Sequence, residues 1–151
     1  MVKSSLGFAS PEQSPGFMLW QVSTIWQRQI KAILDPYGLS HSQFALLAVL
    51  LWCEENGNVP IQKFLVNKTK LDKMTVSAAL KKLVSDAYIV RAEHSKDTRA
   101  KVITLTASGR KLVKNMVKNV EAVDNKFFNS LSRKEAREFI QSLRMLSRVP
   151  S

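Results

Sequence analysis

Three segments decide the fold: Leu71-Asp72-Lys73-Met74-Thr75-Val76-Ser77-Ala78-Ala79-Leu80-Lys81-Lys82-Leu83, then Tyr88-Ile89-Val90-Arg91-Ala92-Glu93, then Lys101-Val102-Ile103-Thr104-Leu105. In the first, Asp72 is a good helix N-cap, and Val76, Leu80, Leu83 and Ala87 recur at helical spacing. That pattern predicts a helix over about 72–86 with the stripe turned inward. Lys73, Thr75, Ser77, Ala78, Lys81 and Lys82 fall mostly on the sides left open. From Tyr88 the period changes: two β-branched and aromatic runs flank the polar residues 94–100, which predicts a hairpin, or wing, over about 88–105.

Working outward, a short helix is expected from Pro60, with Ile61, Phe64 and Leu65 inward, joined to the first segment through residues 67–71. Before it, Ser40 and Gln43 match a capping box, and Leu39 is placed to staple against Phe44. The run from Phe44 to Cys53 is apolar nearly all round, so this second helix must be buried on most sides. At ten residues it is too short to cross a bilayer. The first helix opens at Ser14-Pro15, repeats Leu19, Val22, Trp26, Ile30 and Ile33, and stops at Asp35-Pro36. Two more helices follow the wing. One, after Thr106, carries Leu112, Met116, Val120, Val123, Phe127 and Leu131; the other opens on the box Ser132–Glu135 and carries Ala136, Phe139, Ile140, Leu143 and Leu146.

The fold class expected is mainly α with a small β-wing, in one domain spanning 1–151. A winged helix-turn-helix lobe would occupy 40–105. Helices at 14–35 and 107–147 carry more apolar surface than so small a lobe can cover, which points to a dimerisation region.

The 151 residues hold 23 Lys and Arg against 12 Asp and Glu, a formal charge of +11, and 45% are hydrophobic, which excludes wholesale disorder. The charge is unevenly placed: 1–59 holds three basic residues against four acidic, while 60–101 and 102–151 each hold ten against four. The anion-binding surface is therefore expected to begin near Pro60, with nucleic acid the first partner to consider and a membrane surface the second. No basic region followed by a sustained apolar stretch opens the chain, so no signal peptide is expected. A lone Cys53 suits a reducing cytoplasm.

The order helix, short helix, turn, helix, strand, hairpin, strand gives these residues specific work on duplex DNA. A helix over 72–86 fits the major groove. Thr75, Ser77 and Ala78 are short enough to let the backbone approach base edges, and Lys81 reaches a base edge or a phosphate. Lys73 flanks them. Thr69, Lys70, Lys82 and Lys101 are candidates for the DNA backbone, and Arg99 for the minor groove, whose negative potential favours a guanidinium. Arg91 is either a phosphate contact or an internal ion-pair partner, with Asp86 a candidate. A winged-helix interaction module without sequence-specific DNA binding is the alternative.

The chain resembles the MarR family of transcriptional regulators. The residues that carry the resemblance are Leu65, residues 71–77, Leu80-Lys81-Lys82-Leu83, Tyr88-Ile89-Val90-Arg91, Asp97-Thr98-Arg99, and Lys101 to Thr106 followed by Gly109. The Asp-x-Arg in the wing with the Leu-Thr-x-x-Gly turn after it is the specific part, and the resemblance covers roughly residues 14–147. It implies a two-fold dimer built from the first and last two helices, with Asp97 orienting Arg99 on DNA. It also implies repression released by a small, often aromatic anion bound between the lobes. The family often has glycine where this chain has Ala87, and another in the turn where it has Thr69-Lys70. A left-handed Ala87 would cost about 1 kcal/mol.

Trp20, Trp26, Phe44 and Trp52, with Arg28 as a carboxylate partner, are the candidates for an effector pocket; aromatic packing is the simpler reading of each alone. His41 and His94 lie in different elements with no ligand-spaced neighbour, so no metal is expected. No cofactor is implied either. Nor is there a Gly-rich phosphate loop or a nucleophile with a partnered base, so catalysis finds no support.

Overall fold

The computed structural model describes residues 5, 7–93 and 100–150. Six helices and one hairpin follow in the order α1 (Pro15–Leu34), α2 (His41–Glu55), α3 (Gln62–Thr69), α4 (Lys73–Ser85), β1 (Ile89–Glu93), β2 (Lys101–Leu105), α5 (Ala107–Phe128) and α6 (Arg133–Ser147). The helix starts are set by local chemistry. Ser14, Ser40, Asp72, Thr106 and Ser132 each accept a backbone N–H in the first turn, and Ser40–Gln43 and Ser132–Glu135 form complete capping boxes.

One core runs through the molecule. Ile30 and Leu34 of α1, Leu46, Leu47 and Leu50 of α2, Leu65 of α3, Val76, Leu80 and Leu83 of α4, Ile89 and Ile103 of the hairpin, and Val113 and Met116 of α5 are all buried. Leu39 and Phe44 are buried together, as the staple requires. The all-apolar α2 is the central element, packed against α1, α3, α4, α5 and β2. Strands β1 and β2 pair antiparallel with Ile89 opposite Leu105 and Arg91 opposite Ile103, and Ile61 adds a single bridge to Val102.

Two inward expectations change. Ala87 is exposed, because the helix ends at Ser85 and Ala87 turns the chain at φ 61°; Ala79 takes the place in the buried stripe. Phe64 is exposed, since Leu65, with Val66 beside it, takes the inward side of the short α3.

The junction after the wing is tightly made. Thr106 Oγ1 donates to the Ala87 carbonyl at 2.7 Å, and Ser108 Oγ donates to the same oxygen at 3.0 Å. The Thr106 N–H bonds the Tyr88 carbonyl at 3.0 Å. A Cβ on Gly109 would lie 2.0 Å from that Tyr88 oxygen, so only glycine fits there. Arg110 then grips Glu54 of α2 with two bonds, Nε at 2.7 Å and Nη2 at 2.6 Å, holding the Glu54 carboxyl below the usual carboxylate range.

Helix α6 is different. None of its residues is buried, and Ile140, Leu143, Met145 and Leu146 lie exposed along it. The N-terminal half of α1 likewise exposes Phe17, Leu19, Trp20 and Ile25. Among the described residues, no helix is long and apolar enough to cross a membrane.

Candidate nucleic-acid interface

Helix α3 ends at Lys70, whose φ of 62° turns the chain into α4. Thr69 closes that turn: its hydroxyl donates to the Leu65 carbonyl at 2.8 Å and accepts from the Leu71 N–H at 3.3 Å. Asp72 then caps α4. One carboxylate oxygen accepts the Thr75 N–H at 2.8 Å and the other accepts the Thr75 hydroxyl at 2.7 Å. These bonds hold the Asp72 carboxyl below its ordinary value.

At 100° per residue, the face of α4 opposite Val76, Ala79, Leu80 and Leu83 is centred on Met74, Ala78 and Lys81. Lys73 and Lys82 flank that stripe, and Ser77 lies half-buried beside it. Lys73, Met74, Ala78, Lys81 and Lys82 are all exposed. Thr75 sits toward the core side, half-buried, with its hydroxyl proton engaged by Asp72. It therefore retains a lone pair and a methyl group for any further contact. Lys82 Nζ lies 2.8 Å from Asp86, an exposed pair of small energetic weight. Asp86 pairs with Lys82, and the Nε and Nη2 of Arg91 find no acceptor in it.

Met74 is a residue that the apolar stripe did not single out. It is 83% exposed, the most exposed large apolar side chain of α4. A signal was present: an apolar side chain two positions from Val76 lies about 200° away from the inward face. Lys70 and Lys101 are exposed on the connection before α4 and on β2. Asp97 and Arg99 lie outside the described residues.

The residues considered for an effector pocket do not converge. Phe44 is in the core, and Trp20, 74% exposed, borders a groove with Leu19, Ser23 and Gln27. Trp52 lines a separate groove with Val59 and Phe64, with Lys68 Nζ 5.0 Å from its ring centre. Arg28 is exposed on α1. Trp26 stands beside a further crevice. Its indole N–H donates to Asp124 of α5 at 2.7 Å, and its ring lies 5.1 Å from that of His41. His41 opens onto a space of about 460 Å³ walled by Gln27, Ser42, Ala45, Val49, Thr69 and Leu71, between α1, α2 and the turn from α3 into α4. Burial holds the His41 imidazole below its ordinary value, while the Asp124 carboxylate pulls the other way. Cys53 is fully buried and burial pushes its thiol up, the setting of an inert core thiol. No group of three or more metal-ligating side chains comes together among the described residues.

The family model for an ArnR1-like, winged-helix domain matches residues 35–123. An uncharacterized HTH-type transcriptional regulator of Bacillus subtilis, YdcH, is 32% identical over 139 residues, covering 92% of this chain and 93% of that one. The HTH-type transcriptional repressor Rv2887 of Mycobacterium tuberculosis is 27% identical over 131 residues, covering 87% and 91%. Among solved structures, BpsR of Bordetella bronchiseptica, whose DNA binding is regulated by 6-hydroxynicotinic acid, superposes with a TM-score of 0.84 at 22% identity, covering 95% of this chain and all of that one. A mutant of Escherichia coli MarR complexed with operator DNA gives 0.77 at 18% identity, covering 93% and 99%. These structural likenesses carry the fold.

Proposed function

The chain belongs to the MarR family of winged helix-turn-helix transcriptional regulators, and from that premise we propose that it acts as a homodimeric repressor on a pseudo-palindromic duplex. The observation that carries this reading is the outer face of α4, where Lys73, Met74, Ala78, Lys81 and Lys82 stand exposed. The one carboxylate at the start of α4 is turned into its cap. Such a face is narrow and cationic, as entry into a major groove demands.

In this reading Ser77, Ala78 and Lys81 read base edges, with Met74 and the Thr75 methyl against thymine methyls. Lys70, Lys73, Lys82 and Lys101 meet phosphates, and the Thr69 hydroxyl sets the turn that aims them. Arg99, oriented by Asp97, enters the minor groove. Two copies join through the exposed apolar faces of α1 and α6, which places half-sites about one helical turn apart. Repression is favoured by the likeness to Rv2887.

An effector enters this reading through the crevice beside His41 and Trp26. It touches both the scaffold helix α1 and the turn into α4, so an occupant there bears directly on how α4 is aimed. A small aromatic molecule fits its volume and mixed lining; BpsR supplies the parallel.

The test is selection of bound sequences from a random duplex library, followed by titration of the selected site. A two-fold symmetric site should emerge. With about four phosphates neutralised per subunit, affinity should fall with a log–log salt slope near −7. Arg99→Ala should weaken binding without unfolding the protein. Binding to mixed-sequence duplex that vanishes by about 0.2 M salt, with no preferred site after selection, would replace this reading by the interaction module.

A further inference from the structure

Arg91 poses a problem that neither the core nor the α4 face resolves. It lies on β1 opposite Ile103, and its Nε and Nη2 are buried yet find no hydrogen-bond acceptor among the described residues. They are the buried side-chain polar atoms left without a partner there. A buried guanidinium whose N–H groups stay unpaired is costly enough that an acceptor is expected.

The surroundings say which kind. Arg91 borders a half-enclosed cavity of about 340 Å³, far larger than one water needs. Lys63 and Lys101 also line it, and among the described residues no carboxylate does. Glu93 follows two residues along the same strand face, in register with Lys101, but it does not reach the lining. The first turn of α3 forms another wall through Gln62 and Lys63, and its N-cap residue, Ile61, offers no side-chain acceptor. The free N–H groups of that turn therefore add positive potential to the same space. Three cationic side chains, buried donors and an uncapped helix start form a receptor for a compact, multiply charged oxyanion. Water can accept the hydrogen bonds but brings no charge to oppose the three described cations.

We propose that the cavity between the first turn of α3 and the base of the wing is an oxyanion site of the phosphate class, with Arg91 as its central ligand and Lys63 and Lys101 at its mouth. The phosphoryl group can come from free inorganic phosphate or from the backbone of a bound duplex. Only the second source rests on the function proposed above.

The experiment follows the Arg91 Nε–H signal by NMR during titration with inorganic phosphate at fixed ionic strength, with chloride as the balancing ion. The wild-type protein should show a saturable shift. Arg91→Gln removes the signal and identifies it. Lys63→Ala, an exposed change that spares the core, should weaken phosphate by about tenfold, the loss of one charge-assisted contact. Adding a selected duplex then separates the sources. If a DNA phosphate fills the cavity, duplex and phosphate compete; if only the free anion does, both bind together. A duplex that fails to bind while phosphate still saturates sinks the proposed function and leaves the site standing. No saturable shift in the wild type overturns the site. So does a shift that appears only in Asp97→Asn, which would mean that the chain's own carboxylate holds the cavity.

Discussion

Helices α2 and α6 are each 15 residues long, and each begins with a complete serine capping box. Locally they are started by the same device. Yet α2 buries Phe44, Leu46, Leu47, Leu50, Leu51 and Cys53, and α6 buries nothing. Both facts follow from composition: α2 is apolar around its whole circumference, whereas α6 confines Phe139, Ile140, Leu143 and Leu146 to one stripe between charged residues. A capping box says where a helix begins and nothing about what covers it. The core covers α2; among the described residues α6 buries none of its own, and a second copy is the occupant proposed above.

The comparison can be broken most decisively at α6. Replacing both Ile140 and Leu143 with Asp should raise the dimer dissociation constant by more than about a thousandfold while helical content stays near that of the parent; sedimentation equilibrium reads the first and circular dichroism the second. A parent that sediments as a monomer at micromolar concentration would remove the contrast altogether. Next in size, Leu47→Ala in α2 should cost about 3 kcal/mol in urea unfolding, with little change in α6-dependent association. The two capping boxes sharpen the comparison further. Ser40→Ala should cost about 1 kcal/mol of lobe stability, whereas Ser132→Ala should show its effect mainly as weaker association. Smaller still, Ala87→Gly should stabilise the lobe by about 0.5–1 kcal/mol, since the relief of a left-handed alanine exceeds the added freedom of the unfolded chain. The smallest effect concerns His41, whose folded-state value is depressed. Its contribution is intact at neutral pH and is lost as pH falls from about 6.5 toward the lower folded value, because the unfolded chain takes up the proton first. His41→Gln should flatten that part of the stability profile.

Capping residues and periodicity made the elements legible, because they act over three or four positions. Ser14, Ser40, Asp72, Thr106 and Ser132 all mark observed starts. The order of elements then sufficed for the winged fold. The two turns that lack the family's glycine were also readable as sites of strain: Lys70 and Ala87 are the described non-glycine residues at positive φ. What was not legible was which candidates share a space. Trp20, Trp52 and Phe44 read alike as aromatic residues on apolar helices, but only tertiary packing sends one into the core and two into unrelated grooves. The hydrogen bond from Thr75 to Asp72 and the stranded guanidinium of Arg91 are likewise consequences of three-dimensional placement, which periodicity does not encode.

Helix α5 has a mechanical consequence. At 22 residues it is about 33 Å long. One end is fastened to the turn after α4 through Thr106, Ser108 and the Gly109 contact, and Asp124, toward the other, is tied to Trp26 of α1. It is a lever with fixed couplings at both ends. A tilt of about 5° at Asp124, carried over the roughly 25 Å back to the start of the helix, becomes a displacement of about 2 Å beside α4. In the dimer proposed above, a shift of that size is a sizeable fraction of the rise of one base pair, so angles far from the duplex would tune the spacing of the two α4 helices.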